Sequence, residues 1–192
     1  MRFWSYSLVG LSLVLLSACA LSPSTPSQTE SAAVAAQQVF ERSGRFALSV
    51  EGADGSRDAV QGSFNWLEQA QGLQLDLRNP MGTVLARIRV QPQGTWLEYP
   101  NGQIEYAASP DELVTQVVGY PIPVEGMRDW LKGQTGPKPT QHLETEQQQP
   151  VAFEQDQWRV RLSHYDSQGP TRLQMHRHQS AQSIAVRIVV DY

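Results

Sequence analysis

The chain holds a single cysteine, Cys19, so it cannot close an intramolecular disulfide and must be held together by packing. It also lacks a basic run. With 15 Lys and Arg against 19 Asp and Glu, and a formal net charge of -4, no stretch could neutralise a series of phosphates, which argues against nucleic acid as a partner. No apolar stretch is long enough to span a bilayer comfortably; the compact run from Leu8 to Leu16 stops at Ser17. A Gly-x-Ser-x-Gly elbow, a glycine-rich phosphate loop and a His-Glu-x-x-His helix are all missing from the sequence. An enzyme built on this chain would have to use an unrecognised site, so none is expected, and no cofactor or metal is called for.

What stands at the start is a secretion signal. Arg2 supplies the positive charge, Leu8 to Leu16 the apolar core, and Leu16-Ser17-Ala18-Cys19 the small-residue exit. Leu-Ser-Ala-Cys matches the lipobox of bacterial lipoproteins, which implies that residues 1–18 are removed and that Cys19 is acylated, palmitate being one such chain. The plainer alternative is ordinary secretion with a spare thiol. Ala20 follows Cys19 where an aspartate would hold a lipoprotein at the inner membrane, so the outer membrane, facing the periplasm, is expected. Residues 19–31 are rich in Ser, Thr and Pro and nearly devoid of apolar side chains, which makes them a tether. Residues 32–192 then suffice for one core, and a single monomeric domain is expected.

The segment Leu73–Val90 reads as two strands with one apolar face each: Leu73, Leu75 and Leu77, then Val84, Ala86, Ile88 and Val90. Between them Asn79, Pro80 and Gly82 have the preferences of a type I turn, leaving Met81 at its third position. An apolar side chain thus caps a polar turn. It is either one of the isolated surface apolar residues that most proteins carry or a probe for a membrane or a partner.

Alternating patterns recur on both sides of this hairpin, with a turn at Asp54-Gly55 and others at Gly94 and Asn101-Gly102. Residues 31–42 have the composition of a short lead-in helix. Ser109-Pro110-Asp111-Glu112 is a helix start with a capping box, and Leu113, Val114, Val117 and Val118 precede a Gly119 stop. Met127, Trp130 and Leu131 line a second short helix that ends at Gly133. The reading is a mainly β, single-domain, unclosed antiparallel barrel of about eleven strands, with the two helices as a lid over its apolar opening. Trp66, Trp96, Trp130 and Trp158 are expected on apolar faces, either filling a core or lining a pocket. His176 and His178 share a strand face with solvent, as do Arg159 and Arg161.

Taken in order, the lipobox, Gly44-Arg45-Phe46, Phe64-Asn65-Trp66, Asn79-Pro80-Met81-Gly82, Gly119-Tyr120-Pro121-Ile122-Pro123 and Trp130-Leu131-Lys132-Gly133 resemble the LolB family of outer-membrane lipoprotein receptors. The likeness is tighter before Gly133 than after it. It implies an apolar cavity beneath the lid, and a role in taking acylated lipoprotein cargo from the periplasmic carrier LolA and passing it to outer-membrane lipid. Trp66, Trp130 and Trp158 match family positions that line that cavity; Phe46, Phe64 and Leu75 are placed with them. Met81 matches the apolar tip that enters the membrane. Releasing one long acyl chain into water would cost on the order of 10 kcal/mol, and a triacylated cysteine carries three, which is why such cargo needs a dry relay. The competing expectations are a carrier of another lipid or glycolipid, and a hydrolase with a hidden site.

Overall fold

The computed structural model describes residues 39–179 and 181–191. The expected signal, acylated cysteine and tether lie outside them. So does most of the expected lead-in helix, and the part inside is different: Phe40–Arg42 open the first strand, where every second side chain turns to the interior. The strand pairing available to these residues outweighs a modest helix propensity.

Eleven strands form one antiparallel sheet among the described residues: β1 (Phe40–Gly52), β2 (Arg57–Gln69), β3 (Gly72–Arg78), β4 (Val84–Gln91), β5 (Gly94–Glu98), β6 (Ile104–Ala107), β7 (Gln141–Glu146), β8 (Gln149–Gln155), β9 (Trp158–Tyr165), β10 (Pro170–Gln179) and β11 (Gln182–Val190). Their order is β6-β5-β4-β3-β2-β1-β11-β10-β9-β8-β7, so β1 and β11 pair in the middle and the sheet does not close on itself. Between the edge strands β6 and β7 the chain makes α1 (Pro110–Val118) and α2 (Val124–Trp130). The helices therefore occupy the stretch of chain that joins the two free edges. Those edges are poor templates for further pairing. β6 has four residues, and β7 is irregular, with His142 at positive φ and Glu144 and Glu146 exposed.

Alternation decides which side chains fill the concave face. Leu48 and Val50 of β1, Phe64 and Trp66 of β2, and Leu73, Leu75 and Leu77 of β3 are buried, joined by Ala86, Ile88 and Leu97 from β4 and β5. From the other half come Phe153, Val160, Leu162, Leu173, Met175, Ile184, Val186 and Ile188, while Leu113, Val114, Val124, Met127 and Trp130 descend from the helices. These residues form one continuous core. Trp96 departs from the expectation. Thr95 and Leu97 take the interior, so Trp96 stands on the outer face, where its indole N–H donates to Glu98 at 3.0 Å.

The lid begins as its sequence demands. The Ser109 hydroxyl accepts the Glu112 N–H at 3.3 Å, Pro110 occupies the first turn, and Gly119 closes α1 at φ 86°, a left-handed position that favours glycine.

Candidate functional site

Under the lid lies a small hollow of about 30 Å³ lined by Phe46, Phe64, Leu75 and Leu77 from the sheet and Val114, Val118, Ile122 and Met127 from the lid. Its wall is apolar throughout, so it offers water no partner. Pockets that hold whole organic ligands run from roughly 300 Å³ upward. The lid is therefore shut, and admitting an alkyl chain requires the helix side chains to move off the sheet.

Phe46, Phe64 and Leu75 are thus on the wall of the hollow. The three tryptophans are not. Trp66 and Trp158 are buried on the sheet, at 0% and 2% exposure, and Trp158 lies 5.8 Å from the Arg177 guanidinium. Trp130, also fully buried, fixes α2 instead. Its ring meets Phe153 edge-on at 5.8 Å, and its N–H donates to the Gln155 side-chain oxygen at 3.0 Å. Gln155 in turn donates to the carbonyls of Thr135 and Lys138, both at 2.9 Å, so one buried amide holds the helix and the loop behind it.

A second tie is ionic. Glu68, on the inner side of β2, accepts Arg128 Nη2 at 2.6 Å and Arg128 Nε at 3.0 Å, and Lys132 Nζ lies 2.8 Å from its other oxygen. Burial pushes the Glu68 carboxyl up, but the hydrogen bonds and charges of Lys132 and Arg128 outweigh it and hold the group below its ordinary value of 4.5. A depressed carboxyl contributes stability above its unfolded value and loses it as the pH falls through the folded one. The tie is therefore fully present at neutral pH and weakens only below pH 4.5. Glu68→Gln keeps the shape and removes the charge. We expect amide exchange in α2 to quicken by about tenfold, as loss of a charged hydrogen bond implies; unchanged exchange in hydrogen–deuterium measurements would show the tie to be idle. Neither Gln155 nor Glu68 announces itself in the sequence, because polar residues on a strand read as solvent-facing.

The tip forms as the turn chemistry requires. Gly82 N–H donates to the Asn79 carbonyl at 2.9 Å, and the Asn79 side-chain oxygen accepts the N–H groups of Met81 at 2.9 Å and Thr83 at 3.0 Å. Gly82 has φ 86°. Pro80 fits the second position, where no N–H is needed. The Met81 side chain is 93% exposed, more than any other large apolar residue described. Leu85, 41% exposed, emerges from β4 just beyond the turn. His176 faces outward beside Gln174 and Arg187, and among the described residues no group of three or more His, Cys, Asp or Glu could hold a metal.

A model of the LolB family, described as outer membrane lipoprotein LolB, matches residues 38–192. The chain belongs to the LolB family. Outer-membrane lipoprotein LolB of Bordetella petrii is 40% identical over 179 residues, covering 92% of this chain and 87% of that one. The protein of the same name from Bordetella pertussis is 42% identical over 158 residues (81% and 79%), and that from Cupriavidus necator 35% over 183 (93% and 90%). Among solved structures, a LolA superfamily protein from Nitrosomonas europaea aligns with a TM-score of 0.43 at 10% identity, covering 77% of this chain and 83% of that one.

Proposed function

We propose that this chain is the receiving end of a lipoprotein relay: an outer-membrane lipoprotein that takes acylated lipoproteins from the periplasmic carrier LolA and releases them into the outer membrane. The observation that carries the reading is the wholly apolar hollow beneath a two-helix lid, in a chain of the LolB family. Phe46, Phe64 and Leu75 receive the acyl chains once the lid lifts, and Trp66, Trp130 and Trp158 border the widened space. The chains leave one dry site for another, and their final affinity for the bilayer sets the direction. No cofactor takes part, and one copy suffices. Met81 on its Asn79-Pro80-Gly82 turn dips into the lipid at delivery. Cys19 carries the anchor, and residues 19–31 give the domain reach: at up to about 3.5 Å per residue, an extended tether spans some tens of Å.

The direct test follows transfer of a lipoprotein from a carrier complex into outer-membrane vesicles with and without this protein; equal transfer in both cases would refute the reading. Cys19→Ala separates the anchor from the receptor. The variant should appear in the soluble periplasmic fraction and still take cargo from the carrier, because the folded domain does the binding. Retention of the unacylated protein on membranes would contradict the role given to Cys19.

A further inference from the structure

Two buried hydrogen-bond donors in the interior have no acceptor among the described residues: the Nε–H of Arg42 and the Nε1–H of Trp66. An unpaired buried donor is costly, about 1 to 3 kcal/mol each, so a pair of them at one place calls for an explanation. They are at one place. Arg42 of β1 and Trp66 of β2 are direct cross-strand partners, and both face inward, at 5% and 0% exposure. Such partners have their Cβ atoms about 5 Å apart. Trp66 is also the register partner of Leu75 and lies two residues from Phe64, both on the wall of the apolar hollow. The donors therefore lie one step behind the residues of that wall, at the end where Glu68, Arg128 and Lys132 close the lid.

The charge of Arg42 is already matched. Its two terminal nitrogens reach the Asp166 carboxylate at 2.6 and 3.0 Å, and one also approaches the Pro170 carbonyl at 3.5 Å. Arg42 and Asp166 cancel as a pair, so the remaining Nε–H asks for a hydrogen-bond acceptor and not for a counter-ion, and Glu68, on the same strand face as Trp66, is taken up by Arg128 and Lys132. What the two N–H groups lack is an acceptor.

We propose that Arg42 Nε and Trp66 Nε1 form a recognition point for an acyl carbonyl, the C=O of the ester or amide through which each chain of a lipidated cysteine is attached to its head group. The inference rests on the acyl-carrying function proposed above and adds selectivity to it. An apolar hollow alone accepts any alkyl chain of suitable size. A donor pair next to its wall, reached once the lid lifts, prefers chains that carry an ester or amide over those that end in an ether, and it fixes how far a chain enters, since the carbonyl sits at the donors while the methylenes pass beyond them. Asn65, whose side-chain oxygen is also unpaired, is an acceptor on the opposite face of β2 and takes no part.

The test compares two fluorescent lipopeptides that differ only in linkage, one with ester-linked acyl chains and one with ether-linked alkyl chains. Their binding is measured to the Cys19→Ala protein and to the same protein carrying Trp66→Phe or Arg42→Lys. Trp66→Phe removes the N–H while keeping an aromatic ring, and Arg42→Lys keeps a cation for Asp166 while removing Nε. The parent should bind the ester form about tenfold more tightly than the ether form, the change that one or two hydrogen bonds make. Each variant should lower the ratio to about threefold, because one donor remains, while lost packing weakens both ligands alike and cancels in the ratio. Equal binding of the two ligands by the parent overturns the recognition point and leaves the acyl-carrying function standing, as does a preference undiminished in both variants. If neither lipopeptide binds the parent, the acyl-carrying function itself fails. Should one variant not fold, the parental ratio and the other variant still decide.

Discussion

Met81→Glu should accept lipoprotein from the carrier as readily as the parent and deliver it to vesicles at less than a tenth of the parental rate. The two halves of that expectation have separate causes. Met81 is 93% exposed at the top of a turn held by Asn79 and Gly82, so the folded domain gains almost nothing from its side chain and stability should stay within about 0.5 kcal/mol of the parent. Uptake into the hollow between sheet and lid leaves the tip in water. Delivery does not: a carboxylate carried into the bilayer must shed its hydration at a cost on the order of 2 kcal/mol or more, which exceeds a factor of ten in rate. Met81→Leu, with similar size and polarity, should match the parent. An assay that times acceptance and delivery separately, run beside a thermal melt, distinguishes this outcome from unfolding. Normal delivery by Met81→Glu would mean that the tip never enters lipid.

Trp130→Ala should have the largest effect on stability. The ring is fully buried, packs edge-on to Phe153, and donates to Gln155. Truncating a buried tryptophan costs about 3 to 5 kcal/mol. For a domain of this size each kcal/mol lowers the melting temperature by roughly 2 to 4 °C, so a fall on the order of 10 °C is expected. Trp130→Phe restores most of the burial but leaves the Gln155 oxygen unpaired, and should fall between the two. Differential scanning calorimetry settles the order. A loss of under about 2 °C for the alanine variant would show that α2 rests on the sheet without being part of its core.

The contrast between Met81 and Trp130 also marks how far the sequence could be read. Turn chemistry is local: Asn79, Pro80 and Gly82 specify their conformation within four residues, and the tip forms as written. The Ser109 cap, the Gly119 stop and the alternation of the strands are equally local, which is why the half-barrel and its lid were legible. Face assignment is not. Trp96 sits between Thr95 and Leu97, and only the pairing of β5 with β4 decides which side is interior. The lid ties are less legible still. Glu68 and Gln155 owe their roles to Arg128, Lys132 and Trp130, residues distant in sequence that converge only after folding. The tryptophans illustrate the same limit, since an apolar strand face says that a ring turns inward, not whether it meets a cavity or other side chains.

The pairing of β1 with β11 sets the order in which the domain can come into being. Gly44 through Gly52 lie against Gln182 through Val190, so the strand that leaves the ribosome first waits for the one that leaves last. Until then β1 offers an unpaired edge in the middle of what will be the sheet, with Leu48 and Val50 still uncovered by the second half. Loop closure over nearly the whole chain makes this a late and slow event. A polypeptide emerging from a translocation channel amino end first therefore cannot complete its core while any of β11 is still threaded, and it passes through the periplasm with a sticky half-sheet that invites partners of the wrong kind. The same receptor that shields the acyl chains of others is, during its own birth, a client in need of shielding.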